Sequence, residues 1–162
     1  MVMIGIMSDS HDNLDSIRKA VNAFNEAGVD LVIHAGDMIS PFTVNEIKKL
    51  NCDFKAVFGN NDGEKDGLRL FFKGICYHDD IQELEIAGKR YVVIHGTNEN
   101  VVDALVKSGN YDVVIRGHTH KLDIKKEKCM IINPGETCGY LSGNQTVLLL
   151  NPDDLSYETV FL

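Results

Sequence analysis

Val2-Met3-Ile4-Gly5-Ile6-Met7-Ser8-Asp9-Ser10-His11 opens the chain with an apolar run that stops at a cluster of polar residues. A short run without polar alternation reads as a strand covered on both faces. Its end sets Asp9 and His11 just beyond the strand. Leu14, Ile17, Val21 and Phe24 then recur at helical spacing, with Asp12 or Asn13 able to cap the helix and Gly28 able to end it. Leu31-Val32-Ile33-His34 is a second buried strand, and residues 54–58 are a third. Between them Ser40-Pro41 offers a cap and a proline at the first helical position, which predicts a helix to about Leu50. Strand, helix, strand, helix, strand is the order of a parallel sheet with crossover helices.

The second half changes character. Leu84 and Ile86 alternate with Glu83 and Glu85, and Ala87-Gly88 turns the chain into residues 90–94, a hairpin. Asn98 can cap a helix carrying Val101, Val102, Leu105 and Val106, stopped by Gly109, and residues 112–116 form another buried strand. Residues 122–126, 130–133, 145–150 and 157–162 predict four more strands, as an antiparallel end to the sheet system. The fold class is α/β with many strands, in two packed sheets flanked by helices.

The 162 residues suit one domain, residues 1–162, without disulfide or metal staples. Twenty-four Asp and Glu against sixteen Lys and Arg give a formal net charge of −8, which argues against a partner such as long nucleic acid. No apolar run approaches the roughly 20 residues of a membrane span. The first residues lack the basic leader of a signal peptide. Cys52, Cys76, Cys129 and Cys138 form no C-x-x-C pair and read as reduced thiols, Cys52 and Cys76 as small core fillers. A cytoplasmic protein is expected.

The chemistry lies at the strand ends. The runs are followed by Asp9-Ser10-His11, Gly36-Asp37, Gly59-Asn60-Asn61-Asp62, His95-Gly96 and Gly117-His118-Thr119-His120. In α/β sheets the loops beyond the strand carboxyl ends form the ligand crevice. Each piece alone is weak: an Asp-x-His triplet also arises as a cap beside a surface histidine, and a Gly-Asp as a turn. Jointly they bring two carboxylates, one carboxamide and four imidazoles to one edge. Imidazole and carboxylate suit borderline divalent ions such as manganese, nickel, zinc, iron or cobalt. Seven ligands exceed one tetrahedral site and suit two sites sharing a bridging carboxylate. Two metals about 3.5–4 Å apart can clamp the attacking and leaving oxygens of a phosphoryl transfer.

These residues resemble the calcineurin-like metallophosphoesterase superfamily, whose ordered pattern is D-x-H, G-D, G-N-x-[D/E], H and G-H-x-H. The match runs from residue 9 to residue 120. The short length, the third motif and the Asn133-Pro134-Gly135 turn look most like the small YfcE-like phosphodiesterases. The resemblance implies a four-layer α/β/β/α sandwich. It also implies that Asp9, His11 and His120 hold one metal, that Asn60, His95 and His118 hold the other, and that Asp37 bridges both. A metal-bridging hydroxide would then attack the phosphorus of a small phosphodiester. His95 is expected to be exposed at its strand end.

One departure stands out. Many members carry histidine after the motif asparagine, where it can help to protonate the leaving oxygen. Here the residue is Asn61, which can donate a hydrogen bond but cannot act as a general acid near pH 7. The formal charge of two metals, two carboxylates and hydroxide suits a singly charged diester better than a monoester.

Other residues carry less. His34 reads equally as a core histidine or as support for Asp37, and His78 as a surface residue. Asp62 and Arg116 flank ligand positions and either orient them or sit in loops. Phe71-Phe72 reads as core. The rival to an enzyme is a scaffold of the same fold that binds proteins, as the retromer subunit of the superfamily does. A degenerate scaffold should lack several ligands, and this chain has all seven. A homodimer is expected only from the habit of small enzymes.

Overall fold

The computed structural model describes residues 2–162. The opening run forms β1 (Ile4–Met7), with all four residues buried. α1 (Leu14–Ala27) follows, and Asn13 caps it by accepting a hydrogen bond from the Ser16 amide, while Gly28 ends it in the left-handed region at φ +65°. Ile17, Ala20, Val21 and Phe24 form its buried face. β2 (Leu31–His34) and β3 (Asp53–Ala56) run parallel to β1.

The second sheet is built from the hairpin β4 (Ile81–Ile86) and β5 (Lys89–Ile94), then β6 (Val113–Ile115), β7 (Leu122–Lys126) and β8 (Met130–Pro134). The chain then returns to the first sheet through β9 (Thr146–Leu150) and β10 (Tyr157–Phe161). The strand orders are β10-β9-β1-β2-β3 and β4-β5-β6-β8-β7. In the first sheet β9 runs against β1, β2, β3 and β10, and in the second β4 and β7 run against the parallel strands β5, β6 and β8.

Side-chain alternation explains the unbroken apolar runs. Ile4, Ile6, Ile33, Tyr91, Val93, Ile115, Ile132 and Leu148 fill the space between the sheets. On the far side of the first sheet, Met7, Val32 and Phe54 pack under α1, α2 (Val44–Ile47) and α3 (Lys65–Phe71). Val92 and Val114 of the second sheet pack under Val102 of α4 (Glu99–Lys107), which Asn98 caps. The layers are therefore α/β/β/α, with central strands such as β1 and β6 buried on both faces, as their apolar runs require, and the edge strands β4, β7 and β10 largely exposed.

Three local expectations change. The helix predicted to Leu50 is a 3-10 turn at Pro41–Thr43 followed by the single turn of α2. Lys49 and Leu50 then bond the carbonyls three residues back, so the last turn tightens and stops. The sequence reading has no element for α3, because Gly67 lies in its middle and weakens the helical signal. Only half of Phe71-Phe72 is core: Phe72 is fully buried, whereas Phe71 is 57% exposed. Neighbouring helical side chains point about 100° apart, so both cannot face the sheet.

The surface assignment of His78 is also overturned. It is 1% exposed and packs between Phe58 and Phe72, with ring centroids 5.4 and 4.9 Å away. Nothing periodic surrounds it in sequence; α3 and the chain after it carry it under Phe58. Burial, helped by the Arg69 cation, pushes its pKa down to about 4. The unfolded imidazole binds a proton below about 6.5, whereas the folded one resists until about pH 4. Stability is thus full above pH 6.5 and falls as the pH drops toward 4. His78→Leu removes this loss. Between pH 7 and pH 5 the wild type should lose about 2 kcal/mol more than the variant, read by denaturant or thermal unfolding at both pH values. Equal losses would mean that the fold accepts a proton on His78.

Candidate metal centre

The strand-end loops meet at one edge of the sandwich. Asp9 N–H donates to the Gly36 carbonyl at 3.0 Å, His11 N–H to the Asp37 carbonyl at 3.1 Å, and Gly117 N–H to the His95 carbonyl at 3.1 Å. The meeting leaves no room for side chains at two motif glycines. A Cβ on Gly59 would collide with Asp37, and one on Gly117 with Ser8 and the Asp9 carboxylate. Asp9, His11, Asp37, His118 and His120 all have positive φ, between 41° and 71°. Such strain costs on the order of 1–3 kcal/mol per residue and persists only where the surroundings enforce it.

The site residues form a graded cup. Asp9, Asp37 and His95 are buried at its base, His11, His118 and His120 are half-buried, and Asn60 and Asn61 are exposed at the rim. His95 is 3% exposed, so the expectation that it stands open at a strand end is corrected. Its Nδ1 lies 2.7 Å from the Ala35 carbonyl, which draws the ring between the two sheets.

Five donors crowd together. Asp37 Oδ2 lies 3.5 Å from His11 Nε2 and 3.3 Å from His95 Nε2. Asp9 Oδ1 lies 3.4, 3.8 and 3.9 Å from the Nε2 atoms of His120, His11 and His95. Beside them, His118 Nδ1 stands 3.0 Å from Asn60 Oδ1, and the His118 ring meets the His95 ring edge-on at 5.2 Å. Asn61 does not stand free at the rim: its backbone and side-chain amides both donate to the Asp37 carboxylate at 2.8 Å.

Spacings of 3.3–3.9 Å are long for hydrogen bonds. They are near the ~3.3 Å separation of ligand atoms sharing one small cation at bond lengths of about 2.0–2.1 Å. Asp9 Oδ1, His11 Nε2 and His95 Nε2 are buried and have no hydrogen-bond partner. Buried polar atoms without partners are rare, and three facing one another fit a divalent cation. His95 turns its Nδ1–H to a carbonyl and His120 turns its own to the Glu136 carboxylate at 2.6 Å, so each presents the Nε2 lone pair to the cup.

The electrostatics agree. Burial pushes the Asp9 carboxyl up, but His11, the Ser8 hydroxyl and the nearby His95 and His120 outweigh it and hold it below the ordinary value. Burial likewise opposes ionisation of Asp37, and His95 and Asn61 overcome it, so both carboxylates stay charged. Asp9 raises the pKa of His11, and Asp37 raises that of His95 against burial. The carboxylates thus draw positive charge into the cup.

Further residues support the cup, and two of them, Glu136 and Ser8, had no motif to mark them. Glu136 is fully buried, accepts from His120 Nδ1 and from the Leu141 and Ser142 amides, and its pKa is held down to about 2 by His120 and Ser142 against burial. Ser8 Oγ–H and the His118 amide donate to Asp9 Oδ2. Asp62 accepts from the amides of Asp37, Gly59 and Ile39, and so orients the loops, as one of its two readings expects. His34 is buried with its pKa pushed down to about 3 by burial, so it is neutral. Its Nδ1 accepts from the Gly36 amide, which leaves Nε2–H to donate to Ser10 Oγ at 2.8 Å. His34 is therefore both core and a tie between the Asp9 and Asp37 loops.

The model of the calcineurin-like phosphoesterase superfamily domain matches residues 2–155. The chain belongs to this superfamily. A phosphodiesterase from Methanocaldococcus jannaschii is 42% identical over 98% of both chains. A solved archaeal phosphodiesterase superposes with a TM-score of 0.95 at 42% identity, over 99% of this chain and all of that one. The Escherichia coli phosphoesterase YfcE superposes with a TM-score of 0.70 at 18% identity over 98% of both chains. Vps29 from Chaetomium thermophilum does so with a TM-score of 0.74 at 14% identity, over 99% of this chain and 94% of its own. The last two show the shared fold alone.

Glu136 gives the sharpest test of the cup. Glu136→Gln removes the charge behind His120 and one acceptor for the amides of its loop. Metal affinity should fall about 10- to 100-fold, measured by titrating manganese into metal-free protein in a calorimeter. Unchanged affinity would show that Glu136 supports only its loop.

Proposed function

We propose that this protein is a dimetal-dependent phosphoesterase that hydrolyses small phosphodiesters, with residues 1–162 forming one metallophosphoesterase domain. The observation that carries this reading is the cup itself. Its two charged carboxylates and three imidazoles converge at 3.3–3.9 Å, with three buried donor atoms left unpartnered. The full-length similarity to an archaeal phosphodiesterase supports the same reaction.

In this reading Asp9, His11 and His120 hold one ion and Asn60, His95 and His118 the other. Asp37 would lie between them, a role supported by the approach of His11 and His95 to the same oxygen, Oδ2. Two divalent ions, drawn from manganese, nickel, zinc, iron or cobalt, would when bound lower the pKa of a water toward neutral pH and supply charge for the phosphoryl oxygens. The protein's own groups do the positioning. Ser8 and the His118 amide hold Asp9, Glu136 holds His120, and the Ala35 carbonyl holds His95.

Substrate charge follows from the same groups. Glu136 adds a buried negative charge to those of Asp9 and Asp37, whereas Arg116 is matched by Glu99. A more negative surrounding favours a singly charged diester over a doubly charged monoester. No described helix is long and apolar enough to cross a membrane. The four cysteines are free, which supports the cytoplasm as the compartment. Leu70 and Phe71, 68% and 57% exposed on α3, support assembly with a second copy of the chain.

The complete donor set favours the enzyme over the protein-binding scaffold. The deciding experiment measures metal content and then hydrolysis of bis(nitrophenyl) phosphate with added manganese or nickel. Two bound equivalents with turnover are expected; two equivalents without turnover would favour the scaffold. His95→Asn should lose one equivalent and slow turnover by about 10²-fold or more. Because His95 is buried, its melting temperature must be compared with that of the wild type in the metal-free state. Full activity at unchanged metal content would remove His95 from the site.

Asn61 governs the leaving group. It has no proton to transfer, and general-acid help typically supplies 10²- to 10⁴-fold. Activated diesters should therefore react much faster than alkyl ones. At saturating metal, Asn61→His should raise activity on poor leaving groups or monoesters more than on nitrophenyl diesters. Uniform slowing would instead show that Asn61 matters through its hydrogen bonds to Asp37.

A further inference from the structure

Arg116 is 7% exposed, in a chain with little buried positive charge. It is the last residue before Gly117-His118-Thr119-His120, and its guanidinium joins its own loop to the segment after β5 that runs from Gly96 into the first turn of α4. Nε–H donates to the Gly117 carbonyl at 3.2 Å, and Nη2–H to the Gly96 carbonyl at 2.8 Å. Nη1 meets both carboxylate oxygens of Glu99 at 2.6 and 2.7 Å. Gly96 follows His95, Gly117 precedes His118, and Glu99 lies in the first turn of α4. The backbone of Gly96 has φ +85°, and a Cβ there would press on the guanidinium at 3.0–3.2 Å.

From this geometry we infer that Arg116, braced by Glu99, is a positioning residue that sets the spacing of His95 and His118. The inference rests on the dimetal reading, which assigns those two histidines to one ion. The two imidazoles come from different strands, β5 and β6. Beyond the β5–β6 ladder, the Gly117 amide bond to the His95 carbonyl and the edge-on contact of the two rings, the Arg116 side chain adds a link that touches the residue next to each. A planar guanidinium spreads its donors in a fixed fork and can hold two carbonyls and a carboxylate at once; a lysine ammonium is a point on a flexible stem. The Glu99 carboxylate, both of whose oxygens meet Nη1, balances a cation that would otherwise stand uncompensated beside the His118 loop. Arg116 touches none of the candidate ligand side chains, so its action is through the backbone of the two loops.

The test separates positioning from ordinary stabilisation. Manganese is titrated calorimetrically into metal-free wild type, Arg116→Lys, Arg116→Met and Glu99→Gln, and the metal-free melting temperature of each is recorded. The wild type should take two equivalents. In Arg116→Met one equivalent should weaken about 10- to 100-fold while the other keeps its affinity, and Arg116→Lys should not restore it. Glu99→Gln, a change at an exposed side chain, should weaken the same equivalent by a smaller factor and keep the fold should Arg116→Met fail to fold. A Glu99→Gln or Arg116→Lys protein with both equivalents intact and only a lowered melting temperature would overturn the inference and leave the dimetal reading standing. A wild type that takes fewer than two equivalents would overturn both.

Discussion

The Asp9 carboxylate is the point on which the centre depends. It is fully buried, stays charged, and has its two oxygens divided between two tasks. Oδ2 accepts from Ser8, its neighbour in the loop after β1, and from the His118 amide in the loop after β6 of the opposite sheet. Oδ1 accepts nothing and faces three imidazoles. Burying an ionised carboxylate costs several kcal/mol unless it is compensated. The compensation here comes from groups on both sheets, so folding and site assembly are one event. The bond from His118 to Asp9 also bridges the two sheets at the edge where both sets of parallel strands end.

Holding that arrangement puts the loops under strain. Five of the seven candidate ligands have left-handed backbone angles. The sandwich beneath them is what enforces this. Ile4 and Ile6 of β1 pack against Ile115 and Ile132 from the other sheet, so the strand ends cannot drift apart. The glycines of the motifs are where one loop passes against another, as at Gly59 beside Asp37 and Gly117 beside Asp9. Around the cup, His34, Asp62, Glu136 and Arg116 each tie backbone or ligand groups from two segments. The chemistry is thus held by a shell of buried polar residues around the ligand set.

Much of this was legible in the primary structure. A parallel strand buried on both faces must be apolar throughout, so β1 and β2 stand out as unbroken runs with nearly the observed ends. Strand-end loops carry the chemistry in α/β sheets, so the D-x-H, G-D, G-N, H and G-H-x-H segments fall in loops that do meet. Asn13 and Gly28 are local capping chemistry and are read correctly for the same reason. Helix α3 was hidden because its evidence is tertiary: only Leu68 is buried within it, and Gly67 argues against it locally.

What the chain determined by itself was the order of the strands and of every helix but α3, the residue types at the strand ends, and hence the class of chemistry, because these follow from periodicity and local spacing. Tertiary structure decided which side chains those residues would meet. His95 is buried by a carbonyl sixty positions away, and Glu136 reaches His120 from beyond the next hairpin. Arg116 finds Glu99 across the second sheet's edge, and His78 disappears under Phe58. None of these contacts has a sequence period, since each depends on how two sheets and their loops pack. That packing turns a list of metal-loving residues into a cup with charged carboxylates and aimed imidazoles.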